Sequence, residues 1–139
     1  MYNGVTERGT SGGTELIPSS GWASEAEQVA AFLATRSETA RDTQNDYLFL
    51  GRAPDVIDLI DGKLHSFEAK LRNWKQAVNQ ARDHQLIADF AWVVIPRPKR
   101  EWVDGTGIGL IDGTTFDMVV AAKKTKPFWP VREKIIKRY

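Results

Sequence analysis

The sequence predicts an α/β domain, and three stretches make the prediction. Residues 22–35 place Trp22, Ala26, Val29, Ala30 and Leu33 at helical spacing. Residues 56–60 and 64–69 are β-branched and apolar runs flanking Asp61-Gly62, a pair that tolerates the positive φ of a two-residue hairpin loop. Residues 73–89 repeat a helical pattern and lead into FAWVVI at 90–95, closed by Pro96. Such an uninterrupted apolar run suits a central strand buried on both faces. A helix feeding it is a crossover back onto the sheet.

Composition bounds what the domain can be. The 139 residues are 42% hydrophobic and 27% charged, enough for one core in one soluble domain. The absence of cysteine excludes disulfides and Cys-based zinc sites and is compatible with a reducing compartment. The expected setting is cytoplasmic, or the host cytoplasm for a phage-encoded chain. The run 90–95 is far too short to span a bilayer, so no membrane is expected. No basic segment followed by an apolar stretch opens the chain, so no secretory signal is expected. Charge is uneven. Residues 123–139 hold seven Lys or Arg and one acid, a net +6, leaving −5 elsewhere in a chain of net +1. That basic tail suits phosphate contact, or equally a helix lying on its own domain.

In order, residues 1–20 read as a flexible N-terminal arm, with five Gly or Pro among Ser and Thr. A domain over 21–122 follows. Its first helix, 22–35, is capped by Ser20 or Ser24. Glu25 stands at the border of its apolar stripe, where a carboxylate needs a partner or simply favours the helix dipole. Residues 36–46 are a polar loop, and 47–50 a short strand. The hairpin comes next. Asn73 caps the second helix, whose apolar face holds Trp74, Ala77, Val78, Ala81 and Ala88, with Gln80 at the edge and His84 one turn on. After the strand 90–95, residues 97–106 form a polar loop with Arg97, Lys99, Arg100 and an exposed Trp102. A second hairpin, 108–111 with 116–121, turns at Asp112-Gly113. A short helix, 131–138, ends the basic tail 123–139.

The first hairpin carries the chemistry. With Ile60 opposite Lys63, pairing steps down one for one until Asp55 faces Glu68, and Lys70 points to the same side two residues on. Asp58 pairs with His65 on the other face as a structural ion pair. Opposed carboxylates destabilise a sheet unless a cation joins them. Mg²⁺ takes one or two carboxylates plus waters and phosphate, and a lysine beside it orients or deprotonates water. This is the apparatus of phosphodiester hydrolysis. Two histidines without cysteine make no zinc constellation.

Pro54-Asp55 followed by Glu68-Ala69-Lys70 resembles the signature of the PD-(D/E)XK nucleases, the restriction-endonuclease-like superfamily, over roughly residues 20–96. The resemblance implies that core: helix, three-strand meander, crossover helix and buried fourth strand, here with a C-terminal hairpin and short helix added. Residues 21–122 become a nuclease-like domain. It implies Asp55, Glu68 and Lys70 as catalytic residues, with Mg²⁺ (Mn²⁺ substituting) on Asp55, Glu68 and the Ala69 carbonyl. Glu25 matches a first-helix glutamate of the Holliday-junction resolvases, with Gly21 four residues before it. Gln80 matches a glutamine of the RecB-like exonucleases that steadies the site or touches DNA, although His84 stands where those enzymes have tyrosine. Arg52, Arg97, Lys99 and Arg100 are the DNA-contact candidates.

The implied function is a Mg-dependent deoxyribonuclease. Small size and the lack of a sequence-reading helix favour an endonuclease that selects DNA structure or is delivered by a partner protein. Resolvases of this superfamily act as homodimers, which suggests that state here. The alternative is a catalytically silent module of the same fold that binds nucleic acid or protein.

Overall fold

A computed structural model describes residues 22–43 and 53–138. The first helix, α1 (Glu25–Ala34), starts at Ser24, whose side chain accepts the Glu27 N–H. Its buried face is Gln28, Val29 and Phe32. The alanines at 26 and 30 stay exposed, because one aromatic outweighs them. The Phe32 ring packs 5.0 Å from Phe67 and 5.5 Å from Phe116.

A two-residue strand, β1 (Arg41–Asp42), lies within the stretch expected to be a loop. The strand expected at 47–50 lies outside the described residues. The first hairpin is β2 (Val56–Ile60) and β3 (Lys63–Ala69), paired from Ile60↔Lys63 to Val56↔Phe67. Asp61 and Gly62 have φ of 50° and 76°, as a primed two-residue turn requires. Helix α2 (Trp74–His84) is capped by Asn73. It stops short of residue 89 because a turn intervenes, with the Ile87 and Ala88 N–H groups both returning to the His84 carbonyl. The run FAWVVI is β4 (Phe90–Ile95), and β5 (Gly109–Asp112) and β6 (Met118–Val120) follow.

Among the described residues these strands form one six-stranded mixed sheet in the order β1-β2-β3-β4-β5-β6. Neighbours β3, β4 and β5 are parallel, and the outer pairs are antiparallel. The β5–β6 connection is not a tight turn at Asp112-Gly113. It is a wider loop with Phe116 at φ 63° and a register shift at Leu110/Ile111. Phe116 is held there by its rings of contact, Phe32 and Trp22.

The sheet has two covered faces. Val56, Phe67, Ala69, Val94 and Ile111 meet Val29 and Phe32 of α1. Ala91, Val93, Ile95 and Leu110 meet Ala77, Val78 and Ala81 of α2. The basic tail is also folded onto the body: α3 (Trp129–Arg138) buries Ile135 among Ile57, Leu64, Ile87 and Ala88. Its Arg132, 4% exposed, donates from Nε to Asp89 Oδ2 at 2.8 Å and from Nη2 to the Gly62 carbonyl at 2.9 Å. Burial pushes the Asp89 carboxyl up, but the Leu64 N–H, Arg132 and Lys124 outweigh it and hold it below the usual carboxylate range.

Candidate functional site

The hairpin ladder ends one residue before Asp55, and what happens there builds the site. In a regular strand a residue's N–H and C=O face the same neighbour. Asp55 departs from this: its N–H donates to the Phe67 carbonyl at 3.1 Å, while its C=O accepts from Thr43 N–H on the other side. Pro54, next in line opposite Ala69, has no N–H, and its carbonyl is taken by the Thr43 hydroxyl. The Ala69 N–H is therefore left to a side chain, and Asp55 Oδ2 accepts it at 2.7 Å. Asp55 reaches the Glu68–Ala69–Lys70 segment by this hydrogen bond, not by the direct opposition to Glu68 that an unbroken ladder predicts.

Glu25 arrives at the same segment from α1. Its Oε2 accepts the Leu71 N–H at 3.4 Å, and its Oε1 lies 4.0 Å from Lys70 Nζ. Lys70 is only 7% exposed. Glu25 divides two hollows at this end of the sheet. One, about 420 Å³, is lined by Lys70, Arg72, Asn73 and Gln76 with Trp22. The other, about 350 Å³, is lined by Asp55 and Asp42 with Thr43 and apolar residues of α1.

Glu68 lines neither hollow. It alternates with Phe67 and Ala69 and so shares the α2-facing side of β3 with Leu64 and Ser66; it is 1% exposed. Gln80 and His84 belong to the helix that covers this side. Gln80 is half-buried with its Oε1 withdrawn from solvent, and His84 is 1% exposed. Asp55 and Glu25 therefore reach residues 69–71 from two elements, while Glu68 turns away toward α2, so the expected sharing of one sheet face by Asp55, Glu68 and Lys70 does not hold.

Arg52 lies outside the described residues. Lys70 N–H donates to the Val94 carbonyl, so β3 and β4 end together, and the chain carrying exposed Arg97, Lys99 and Arg100 leaves the sheet at that same end. Trp102 is no free platform for a base: it stacks on Trp74 with centroids 5.0 Å apart and planes 1° from parallel. Asp58 and His65 are cross-strand partners but bond elsewhere. Asp58 takes Arg36 Nη2 at 3.2 Å and the Thr39 hydroxyl. His65 Nδ1 accepts from Trp92 Nε1 at 3.0 Å, and its ring stacks 4.6 Å from Phe90. Burial, then Arg36, push its pKa below the ordinary imidazole value. It is a neutral, structural histidine.

No family model and no curated protein matches the chain. A solved structure does. The SPO1766 protein of unknown function from Silicibacter pomeroyi is similar at a TM-score of 0.62, covering 84% of each chain at 17% identity. The likeness is one of fold. Among the described residues no helix is long and apolar enough to cross a membrane, and no three His, Cys, Asp or Glu side chains form a ready-made ion cage.

Two residues at the site are invisible to the hydrophobic pattern. Asp42 sat in a stretch expected to be loop, and only strand pairing with β2 brings it beside Asp55. Gln28 is polar yet 0% exposed. The signal for it is spacing: Glu25, Gln28, Val29 and Phe32 lie on one helix face.

Proposed function

We propose that this chain is a metal-dependent nuclease hydrolysing DNA phosphodiester bonds, built on a restriction-endonuclease-like PD-(D/E)XK core. The observation that carries the reading is the meeting at one end of the sheet: Asp55 on the Ala69 N–H, with Glu25 beside Lys70. The donor set fits a hard cation. Asp55, Glu25 and Asp42 line hollows with room for water, and Mg²⁺ prefers oxygen donors and retains waters. Asp55, Glu25 and the Ala69 carbonyl would hold Mg²⁺ or Mn²⁺, whereas Glu68, expected in that set, lies buried on the α2-facing side of β3. Bound there, the ion supplies charge stabilisation at the phosphoryl oxygens and a lowered pKa for water.

The chain's own groups do the rest. Lys70 Nζ, mostly shielded from solvent, orients the attacking water and offsets charge on the phosphate. Asp55 keeps its carboxylate aimed by the Ala69 N–H, and Gln80 steadies the site from α2. Arg52, Arg97, Lys99 and Arg100 contact the DNA backbone, which makes affinity fall with salt. The small domain suits a cytoplasmic endonuclease that recognises DNA structure or is brought to its target by a partner, acting as a homodimer on symmetric junctions.

The test is incubation with linear, nicked and branched DNA and Mn²⁺, comparing wild type with Lys70→Ala. Cleavage by wild type alone is expected. Equal cleavage by both, or none by either, sinks the reading. One observation favours a second reading, a catalytically silent binding module: Glu68 is 1% exposed and lines neither hollow. Mn²⁺ binding by wild type that disappears in Asp55→Ala separates the nuclease from that module.

A further inference from the structure

Gln28 is an odd residue to find at 0% exposure. Its Nε2 lies 3.4 Å from the carbonyls of both Lys70 and Val94, spanning the ends of β3 and β4. Its Oε1 is buried without a hydrogen-bond partner among the described residues. That oxygen rests against Gly113, where a Cβ would come within 2.5 Å of it. Trp22 Nε1 donates to the Gly113 carbonyl at 2.6 Å, so Trp22, just before α1, and Gln28 within it meet this glycine from two points. By stability alone the amide is a poor choice. Two long donations return less than an orphaned buried acceptor costs, and an apolar side chain of similar length avoids the loss.

We infer that Gln28 is a positioning residue for Lys70. It clamps the Lys70 carbonyl to β4 while Glu25, one turn earlier on the same helix face, approaches the Lys70 ammonium. One residue thus sets the main chain of Lys70 and the distance of its charged neighbour. The kinetic part rests on the nuclease reading; the local geometry does not.

Gln28→Met removes the donor and the orphaned acceptor and keeps an unbranched side chain. Three readouts are taken on the full chain. Thermal denaturation is expected to give a Tm equal to or above wild type. Amide exchange at Lys70 and Leu71 is expected to quicken while β4 and α2 remain protected. Mn²⁺-dependent cleavage of branched DNA is expected to lose about 10- to 100-fold in kcat with KM little changed. A lower Tm or failure to fold makes Gln28 an ordinary core residue and overturns the inference. So does unchanged exchange at Lys70 and Leu71, or unchanged kcat in an active enzyme. If wild type cuts no DNA, the nuclease reading fails and the exchange and stability readouts judge Gln28 by themselves.

Discussion

Asp55 reaches past the end of the β2–β3 ladder and takes the Ala69 N–H at 2.7 Å. The hydrogen bond gives its carboxylate a structural duty besides any chemistry. Asp55→Asn still offers an oxygen to Ala69, so it should stay within about 1 kcal/mol of wild type while losing DNA cleavage. Asp55→Ala leaves the N–H without its acceptor and should cost about 1–3 kcal/mol. Urea denaturation beside a cleavage assay checks both. An active Asp55→Asn removes Asp55 from the chemistry.

Arg132 and Asp89 hold the C-terminal helix to the body. The pair is buried, at 4% and 1% exposure, and Arg132 also ties the hairpin turn through the Gly62 carbonyl. Arg132→Met leaves Asp89 with the Leu64 N–H and the half-exposed Lys124. The expected loss is about 3 kcal/mol, with faster amide exchange throughout α3. Unaltered protection of α3 would show that Ile135 and its apolar neighbours seat the helix alone.

His65 sets a pH limit on stability. Its folded pKa is lowered, first by burial and then by Arg36, with Asp58 and Asp89 acting the other way. The unfolded chain therefore binds a proton before the folded one does. The contribution of neutral His65 is complete above about pH 6.5 and is lost as pH falls from there through the folded pKa. His65→Phe keeps a ring in the stack and should flatten the stability curve between about pH 7 and 5. An unchanged slope assigns the proton uptake to another group. Asp89 acts in a separate window, because a lowered carboxyl pKa contributes stability that is lost only as pH falls below about 4.

How legible the site was depended on the range of the forces. The Asp61-Gly62 turn is local chemistry, and it fixes every pair from Ile60↔Lys63 to Val56↔Phe67. That register predicts Asp55 close to Glu68–Ala69–Lys70, and it is close. It does not predict the slip at Asp55, which arises because Pro54 cannot donate and Thr43 competes for its carbonyl. Glu25 is readable as an acid at the edge of an apolar stripe. For Gln28 only the helix face is readable from spacing, because nothing in α1 itself says that two strand ends and Gly113 will close over an amide.

By itself the sequence determined the α/β class, the tight hairpin, the buried strand at 90–95 and the crossover helix before it. These follow from periodicity, turn chemistry and apolar runs, which act within a few residues. Only the tertiary structure decided that the basic tail folds back through Arg132 and Ile135, that Trp102 is spent on Trp74, that Asp42 joins Asp55, and that Glu68 turns toward α2. Each depends on which surfaces meet across the sheet, and contacts between residues distant in sequence leave no periodic trace in the chain.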